Sequence, residues 1–458
     1  MNRSSQVPRM LIAAALVLSA CGAASAATAP ATAPANDTPA TAPANDTPAN
    51  APANDTPTTD PRITSRAAPS VELPTLAITG ADGSITVVRG GAVAGVYPDA
   101  RLAVDGHTLI SAAPSSNGTK VEWVDISTGR SAGSAMLDGT FGLSALDESG
   151  ESAVVVSPAA AVTGSDIAGA RTSTELAIIR KPADPAQPAA VVYRTTVPGN
   201  VLPEMLGPSY PDVPGSVFML EYLPADHPAA YRVRVLDTSS GMLAVPLDLR
   251  EKIQAADESM AGISRAQVMV PSRKLLLTVY RGRNPDGSVY AFVHALRYDG
   301  IQDGPWPGTY CLDIPDSLQL QASPASVAVS TDQETMFIAN GSGTIGSLRV
   351  RDLDDHTHAP ALHSSGQVKD MTDHAPAIAA SDSAVWVAYG KAVTELDPSD
   401  LVQRQRFMLP DDVFALTASP TGLVAVGQSS ITLVDPHGAV LRRWPVAVDQ
   451  PRRVALVP

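Results

Sequence analysis

Histidine and aspartate side chains concentrate in one short part of the chain, where their types could support metal binding. Four of the eight histidines, His356, His358, His363 and His374, lie among five aspartates between residues 352 and 374. Imidazole and carboxylate groups together suit zinc or copper. His356 and His358, two residues apart, are therefore the candidate metal ligands, although the sequence favours a solvated polar turn over a metal site.

A second group of charged residues lies in the segment RGRNPDGS, residues 281–288, between two apolar runs. Long loops beside regular elements often carry function. Arg281, Arg283 and Asp286 are the charged members of this segment and are the candidate ligand-binding residues. Solubility of the loop is the competing explanation.

Two glycine-rich motifs match cofactor or catalytic signatures, but their contexts are wrong. Residues 341–346 fit G-x-G-x-x-G, yet the following SLRVRD alternates like a strand, whereas a dinucleotide site needs a helix there. Residues 129–133 fit G-x-S-x-G but lie in a recurring hairpin turn rather than a strand-to-helix turn. We therefore predict no cofactor and no catalytic residues, and the question of an enzyme stays open, leaning towards none.

These residues would be positioned by short strands, because almost no helical periodicity occurs beyond residue 70. Runs of five to eight residues rich in Val, Leu, Ile and Tyr alternate with Gly, Pro, Asp and Ser. One turn signature precedes a strand, and another follows a strand at or near an aspartate, as in EWVDISTG and TLVDPHG. Units of four short strands indicate an all-β, single β-propeller with seven or eight four-stranded blades.

The propeller is predicted to span residues 68–458 and to have eight blades, with seven as the alternative. Its closing blade would combine residues 74–97 with RRVALVP at the C-terminus. The unit at 327–352 resembles the repeat of YVTN and quinoprotein-dehydrogenase-like propellers. That resemblance implies the fold and little about activity, since such propellers include lyases, dehydrogenases and binding modules.

Any site is expected on the face made by second-to-third-strand and inter-blade loops. The longest segments predicted as loops on that face are residues 157–173, 197–215, 249–262 and 281–288.

The N-terminus indicates export and anchoring. Arg3 and Arg9 precede the apolar run Met10–Ala20, which has signal-peptide length. Leu18-Ser-Ala-Cys21 resembles the lipobox of bacterial lipoproteins, in which the cysteine carries the lipid. We expect residues 1–20 to be a signal peptide, Cys21 to be lipidated, and the protein to lie in the bacterial cell envelope facing outside the cytoplasm. Secretion after cleavage at Ala24-Ser-Ala26 is the alternative.

Residues 21–67 are predicted to be a disordered linker. Three nonapeptide repeats, beginning APANDTPAT, fill residues 33–59 and contain no large apolar side chain. Proline at this density excludes helix and sheet interior, and nothing offsets the entropy of ordering. The segment is expected to act as an extended spacer.

Composition narrows the function classes. The 458 residues carry a net charge of −14 and no basic run, so nucleic acid is not an expected partner. Besides the membrane, we expect an envelope protein or extracellular ligand as partner. The leading hypothesis is a membrane-anchored binding or assembly module. A propeller enzyme of the lyase or dehydrogenase type, with its site at the channel mouth, and a carbohydrate or cell-wall binder are the alternatives.

Overall fold

The computed structural model describes residues 72–162, 168–207, 215–244, 247–248, 262–283, 288–298, 308–313, 318, 323–354, 362–372 and 374–457. Within these ranges lie 33 short β-strands, one 3-10 turn (Pro271–Arg273) and one helix, α1 (Val350–Asp354). No helix in the described part of the chain has the length and apolar character needed to cross a membrane.

The strands form eight sheets. Blade 1 contains β1 (Leu76–Gly80), β2 (Ile85–Arg89) and β3 (Ala92–Tyr97). Blade 2 contains β4 (Ala100–Leu102), β5 (Thr108–Ser115), β6 (Gly118–Asp125) and β7 (Arg130–Leu137). Blade 3 contains β8 (Gly142–Leu146), β9 (Ser152–Val156), β10 (Ser173–Arg180) and β11 (Ala190–Pro198). Blade 4 contains β12 (Asn200–Leu206), β13 (Val217–Leu223), β14 (Ala230–Asp237) and β15 (Met242–Ala244).

In blade 5, β16 (Leu247–Asp248) adds a parallel fifth strand outside β17 (Gly262–Val270), β18 (Leu275–Arg283), β19 (Val289–Arg297) and β20 (Gly308–Asp313). Blade 6 contains β21 (Ala325–Val329), β22 (Thr335–Asn340), β23 (Thr344–Arg349) and β24 (Leu362–Gln367). Blade 7 contains β25 (Ala377–Ala380), β26 (Val385–Tyr389), β27 (Ala392–Leu396) and β28 (Gln403–Met408). Blade 8 contains β29 (Ala415–Ser419), β30 (Gly422–Val426), β31 (Ile431–Val434) and β32 (Val440–Trp444). The last strand, β33 (Pro451–Leu456), completes blade 1.

The hydrophobic core is divided among the contacts between neighbouring blades. Eight buried clusters occur, one for each of the eight blade interfaces, including that between blades 8 and 1. Middle strands such as β9, SAVVV, are buried on both faces, because each face covers a different interface. A closed ring of eight blades is the arrangement that covers every sheet face, which confirms the predicted propeller and its blade count.

Blade 1 closes the ring as the sequence predicts. β33 runs antiparallel to β1, with Val454 opposite Ile78 and Leu456 opposite Leu76. β3 is the exposed outer strand of the same sheet. The two ends of the described chain therefore share one blade, and β33 is its innermost strand.

The ring has two faces, which we name by their connections. The turn face carries the connections from first to second and from third to fourth strand, and the loop face carries the remaining connections. The recurring aspartates lie on the turn face, where their carboxylates accept local hydrogen bonds. Ser127 Oγ and the Thr128 N–H donate to Asp125 at 2.6 and 3.0 Å, and Ser399 donates to Asp397 in the same way. These aspartates shape turns, as predicted.

Two predictions of local structure were wrong. Residues 197–215 are not one long loop, because residues 200–206 form β12, the inner strand of blade 4. The stretch SLRVRD does not continue as a strand, because β23 ends at Arg349 and α1 follows it.

Candidate functional site

The candidate ligand residues Arg281 and Arg283 lie on a strand rather than in a loop. β18 extends to Arg283, and its last residues pair with β19, Arg281 opposite Ala291 and Arg283 opposite Val289. The loop interpretation of these two residues was therefore wrong, because regular pairing continues past the apolar run. Asp286 lies outside the described residues, and a ligand-binding role for the three residues stays a prediction.

The candidate metal ligands His356 and His358 lie outside the described residues, between α1 and β24. His374 lies on the loop face, in the connection from blade 6 to blade 7, and its Nδ1 lies 2.6 Å from Thr372 Oγ1. Within the described residues, no group of three or more His, Cys, Asp or Glu side chains is arranged to hold a metal. Metal binding at His356 and His358 stays a prediction.

Both glycine-rich motifs form hairpin turns. Residues 341–343 join β22 to β23, with Gly343 at φ +87° and the Ser342 and Thr344 N–H groups donating to Asn340 Oδ1 at 3.0 Å. Gly129, at φ +70°, joins β6 to β7. Neither motif opens a helix, so the local geometry agrees with the turn interpretation.

A charged site is found where two innermost strands begin at the loop face. The second residue of the innermost strand is Arg452 in blade 1 and Arg101 in blade 2, and both are exposed. The corresponding residue is apolar or serine in the other blades whose inner-strand side chains are described there: Leu143, Val201, Ser326, Ile378 and Leu416. Together with the exposed Arg453, these residues form what we call the arginine mouth: Arg101, Arg452 and Arg453.

The backbone before the arginine mouth has an unusual conformation in both blades. Asp99, immediately before β4, has φ +41°, and Gln450, immediately before β33, has φ +38°. Side-chain-bearing residues adopt this left-handed conformation rarely, and it costs about 1–3 kcal/mol where it is strained. The two inner strands therefore enter the channel through equivalent tight bends that fix the first residues of each strand.

Asp99 is held between blades. Its Oδ2 accepts the Leu143 N–H of blade 3 at 2.6 Å, and its carbonyl accepts the Ala112 N–H at 3.1 Å. Burial raises the pKa of the Asp99 carboxyl, while the bond from Leu143 and the positive charge of Arg101 oppose that shift. The Asp99 carboxylate thus contributes to joining blades 2 and 3.

Arg453 reaches across the channel. Its Nη2 donates to the main-chain oxygen of Gln267 at 3.1 Å, and Gln267 lies on β17 of blade 5, half of the ring away. Gln267 Nε2 in turn donates to Glu204 Oε2 of blade 4 at 3.0 Å. At this level the channel is narrow enough for one arginine side chain to span it, and its lining is polar.

Arg171 holds the loop from β9 to β10 against the neighbouring strands at the loop face. Its guanidinium donates to Asn200 Oδ1 at 3.1 Å and to the main-chain oxygens of Ser157 and Val201 at 2.5 and 3.0 Å. Burial lowers the pKa of Arg171. Hydrogen bonds to neutral oxygens satisfy this half-buried cation, so Arg171 serves the structure of the loop.

Sequence reasoning expected a site on the loop face, where the arginine mouth also lies, but it did not identify the arginine mouth. The available signal was the pair of arginines in RRVALVP, already assigned to the closing inner strand. What was missing was the alignment of Arg452 with Arg101, since the two lie at opposite ends of the propeller sequence.

No family model matches the sequence, and no curated protein does so either. Among solved structures, the chain is similar to apo AztD from Citrobacter koseri, with a TM-score of 0.49 and 11% identity over 84% of this chain and 98% of that one. It is similar to BamB from Moraxella catarrhalis, with a TM-score of 0.42 and 12% identity over 74% and 86%. A third similar structure is Chaetomium thermophilum Sqt1 bound to the N-terminus of a ribosomal protein, with a TM-score of 0.42 and 14% identity over 74% and 84%. The fold assignment rests on the eight sheets themselves.

Proposed function

We propose that this protein is a lipid-anchored, extracytoplasmic propeller of the bacterial envelope that binds a partner protein as an assembly module. The observation that carries the binding role is the arginine mouth, where two neighbouring blades each present arginine at a position that is apolar or serine in the other described blades. In a chain with net charge −14, such a local concentration of positive charge favours specific recognition of an anionic partner.

The sequence supports the anchoring part of the proposal. Cys21 follows an apolar run of signal-peptide length and ends a lipobox-like sequence. The proline-rich linker at 21–67 would hold the propeller away from its anchor, because such segments behave as semi-rigid spacers.

The test is crosslinking in intact cells followed by mass spectrometry of the purified protein. We expect a reproducible envelope-protein partner, together with an N-terminal peptide whose Cys21 carries a diacylglyceryl group. The Cys21→Ala variant provides the control, because it should lose the lipid and leave the membrane fraction. Recovery of no reproducible partner would contradict the binding role, and an unmodified peptide starting after Ala26 would contradict the anchor.

A further inference from the structure

We propose that the arginine mouth binds an extended, carboxylate-bearing peptide segment of the partner. This inference rests on the proposed function and specifies its ligand chemistry. The three residues come from the two ends of the propeller sequence and lie on neighbouring innermost strands because β33 closes blade 1, which packs against blade 2.

Carboxylates match the chemistry of the arginine mouth. The guanidinium group is planar and always charged, and it can donate two parallel hydrogen bonds to one carboxylate. Arg101 and Arg452 are each the exposed second residue of neighbouring innermost strands, Arg101 in regular pairing with Ile110 and Arg452 at the register shift of β33, so both guanidinium groups are accessible from solvent at the loop face.

The width of the channel favours a single extended chain as the occupant. Arg453 spans the channel to the main-chain oxygen of Gln267, so the occupant lies at the mouth and does not pass this level while the bond is in place. An extended peptide presents successive side chains about 3.3 Å apart, which allows neighbouring carboxylates to reach separate arginines. Gln267 Nε2 already donates to Glu204 Oε2 and to Thr278 Oγ1, so the arginines at the mouth, rather than these deeper groups, supply the contacts with the peptide.

The experiment measures binding of fluorescein-labelled octaglutamate to the full-length chain purified in detergent, by fluorescence anisotropy. We expect octaglutamate to bind at least tenfold more tightly than octaglutamine, with an affinity that falls as salt is raised. Arg101→Gln and Arg452→Gln should each weaken binding about tenfold, since each removes a charge-assisted pair. Arg452→Lys, which keeps the charge but loses the bidentate geometry, should give an intermediate affinity.

The control is Arg130→Gln, because Arg130 is an exposed arginine at the start of β7 on the turn face. It should bind octaglutamate like the wild type, and all variants should share one urea midpoint. Octaglutamate that fails to bind, or that binds equally to the Arg452→Gln and Arg130→Gln variants, would overturn the proposal. Oligogalacturonate binding more tightly than octaglutamate through the same arginines would also overturn it, in favour of an acidic glycan.

Failure here is distinguishable from failure of the proposed function. If crosslinking recovers an envelope partner while the arginine variants bind octaglutamate normally, the binding role stands and the mouth is not its site. If octaglutamate binding follows the arginines while no partner is recovered from cells, the site is correct and the assembly role is wrong.

Discussion

The junction of blades 2 and 3 depends on one tryptophan whose contribution can be measured separately. Trp123, on β6, is fully buried, and its Nε1 donates to the Gly150 carbonyl of blade 3 at 2.8 Å. Replacement by phenylalanine keeps an aromatic ring in the cluster and removes the donor. The effect of Trp123→Phe therefore reports mainly on this one hydrogen bond between blades.

Two effects contribute to the expected loss in the free energy of unfolding. Leaving the buried Gly150 carbonyl without its indole donor costs about 1–3 kcal/mol. The smaller ring leaves a cavity worth about 1 kcal/mol. We expect Trp123→Phe to lower the free energy of unfolding by about 2–4 kcal/mol in total.

Trp386→Phe is the matched control. Trp386 also lies at a blade interface, between blades 7 and 8, with 8% of its surface exposed. In the described part of the chain its indole N–H donates to no protein group, so the same substitution should cost only the cavity, about 1 kcal/mol. The difference between the two variants isolates the hydrogen bond, at about 1–3 kcal/mol.

Urea unfolding followed by far-UV circular dichroism is the suitable assay, because tryptophan fluorescence changes with the substitution itself. Thermal midpoints are less sensitive, since for the roughly 330 residues that the structure describes 1 kcal/mol shifts the midpoint by only about 1 °C. Equal losses for Trp123→Phe and Trp386→Phe would show that the bond to Gly150 does not stabilise the junction.

Three further outcomes are expected. Gly422→Ala should lower the urea midpoint more than Gly83→Ala does. Both glycines have positive φ, but a Cβ at Gly422 would lie 2.0 Å from a main-chain oxygen, whereas the space around Gly83 is open. Deleting residues 451–458 should remove hydrogen-exchange protection from β1, and retained protection would show that β33 is not needed for closure. Hydrogen bonds from Ser399, with help from Arg404, lower the pKa of Asp397 to about 2, below the roughly 3.9 of an unfolded chain. Its stabilisation is therefore present above about pH 4 and is lost as pH falls towards 2. Asp397→Asn should reduce the loss of stability in that window without removing it, because other turn aspartates such as Asp125 also have a lowered pKa; an unchanged acid profile would contradict the assignment.

The fold was predictable because its signals are local. An aspartate that follows a strand and accepts hydrogen bonds from the next few residues, as Asp125 does, marks a turn wherever it occurs. Repetition of that turn at intervals of about one blade predicted the architecture and limited the number of blades to eight or seven. The closing strand was predictable because the ring needs an inner strand for blade 1.

The error at residues 197–215 occurred because an innermost strand of the ring tolerates a proline that would disrupt a central strand. Pro203 and the glycine at 199 made residues 197–215 resemble a loop, yet Pro203 lies within β12. An innermost strand pairs on one side only and faces the channel on the other, so a proline there need not remove a ladder hydrogen bond. The register shift between Pro203 and Met205 accommodates it. Sequence periodicity alone does not distinguish such an edge strand from a loop.

The arginine mouth was not predictable from spacing, because closure of the ring creates it. Arg101 belongs to the second blade and Arg452 to the final strand, and only the pairing of β33 with β1 makes these residues neighbours around the channel. The same strand therefore closes the fold and supplies two of the three arginines. It follows that loss of β33 should abolish octaglutamate binding together with closure, whereas Arg452→Gln should weaken binding about tenfold with closure intact. If Arg452→Gln weakens binding while the ring stays closed, Arg452 is part of a binding site; if it leaves binding unchanged, Arg452 is only a solvated residue at the start of a strand.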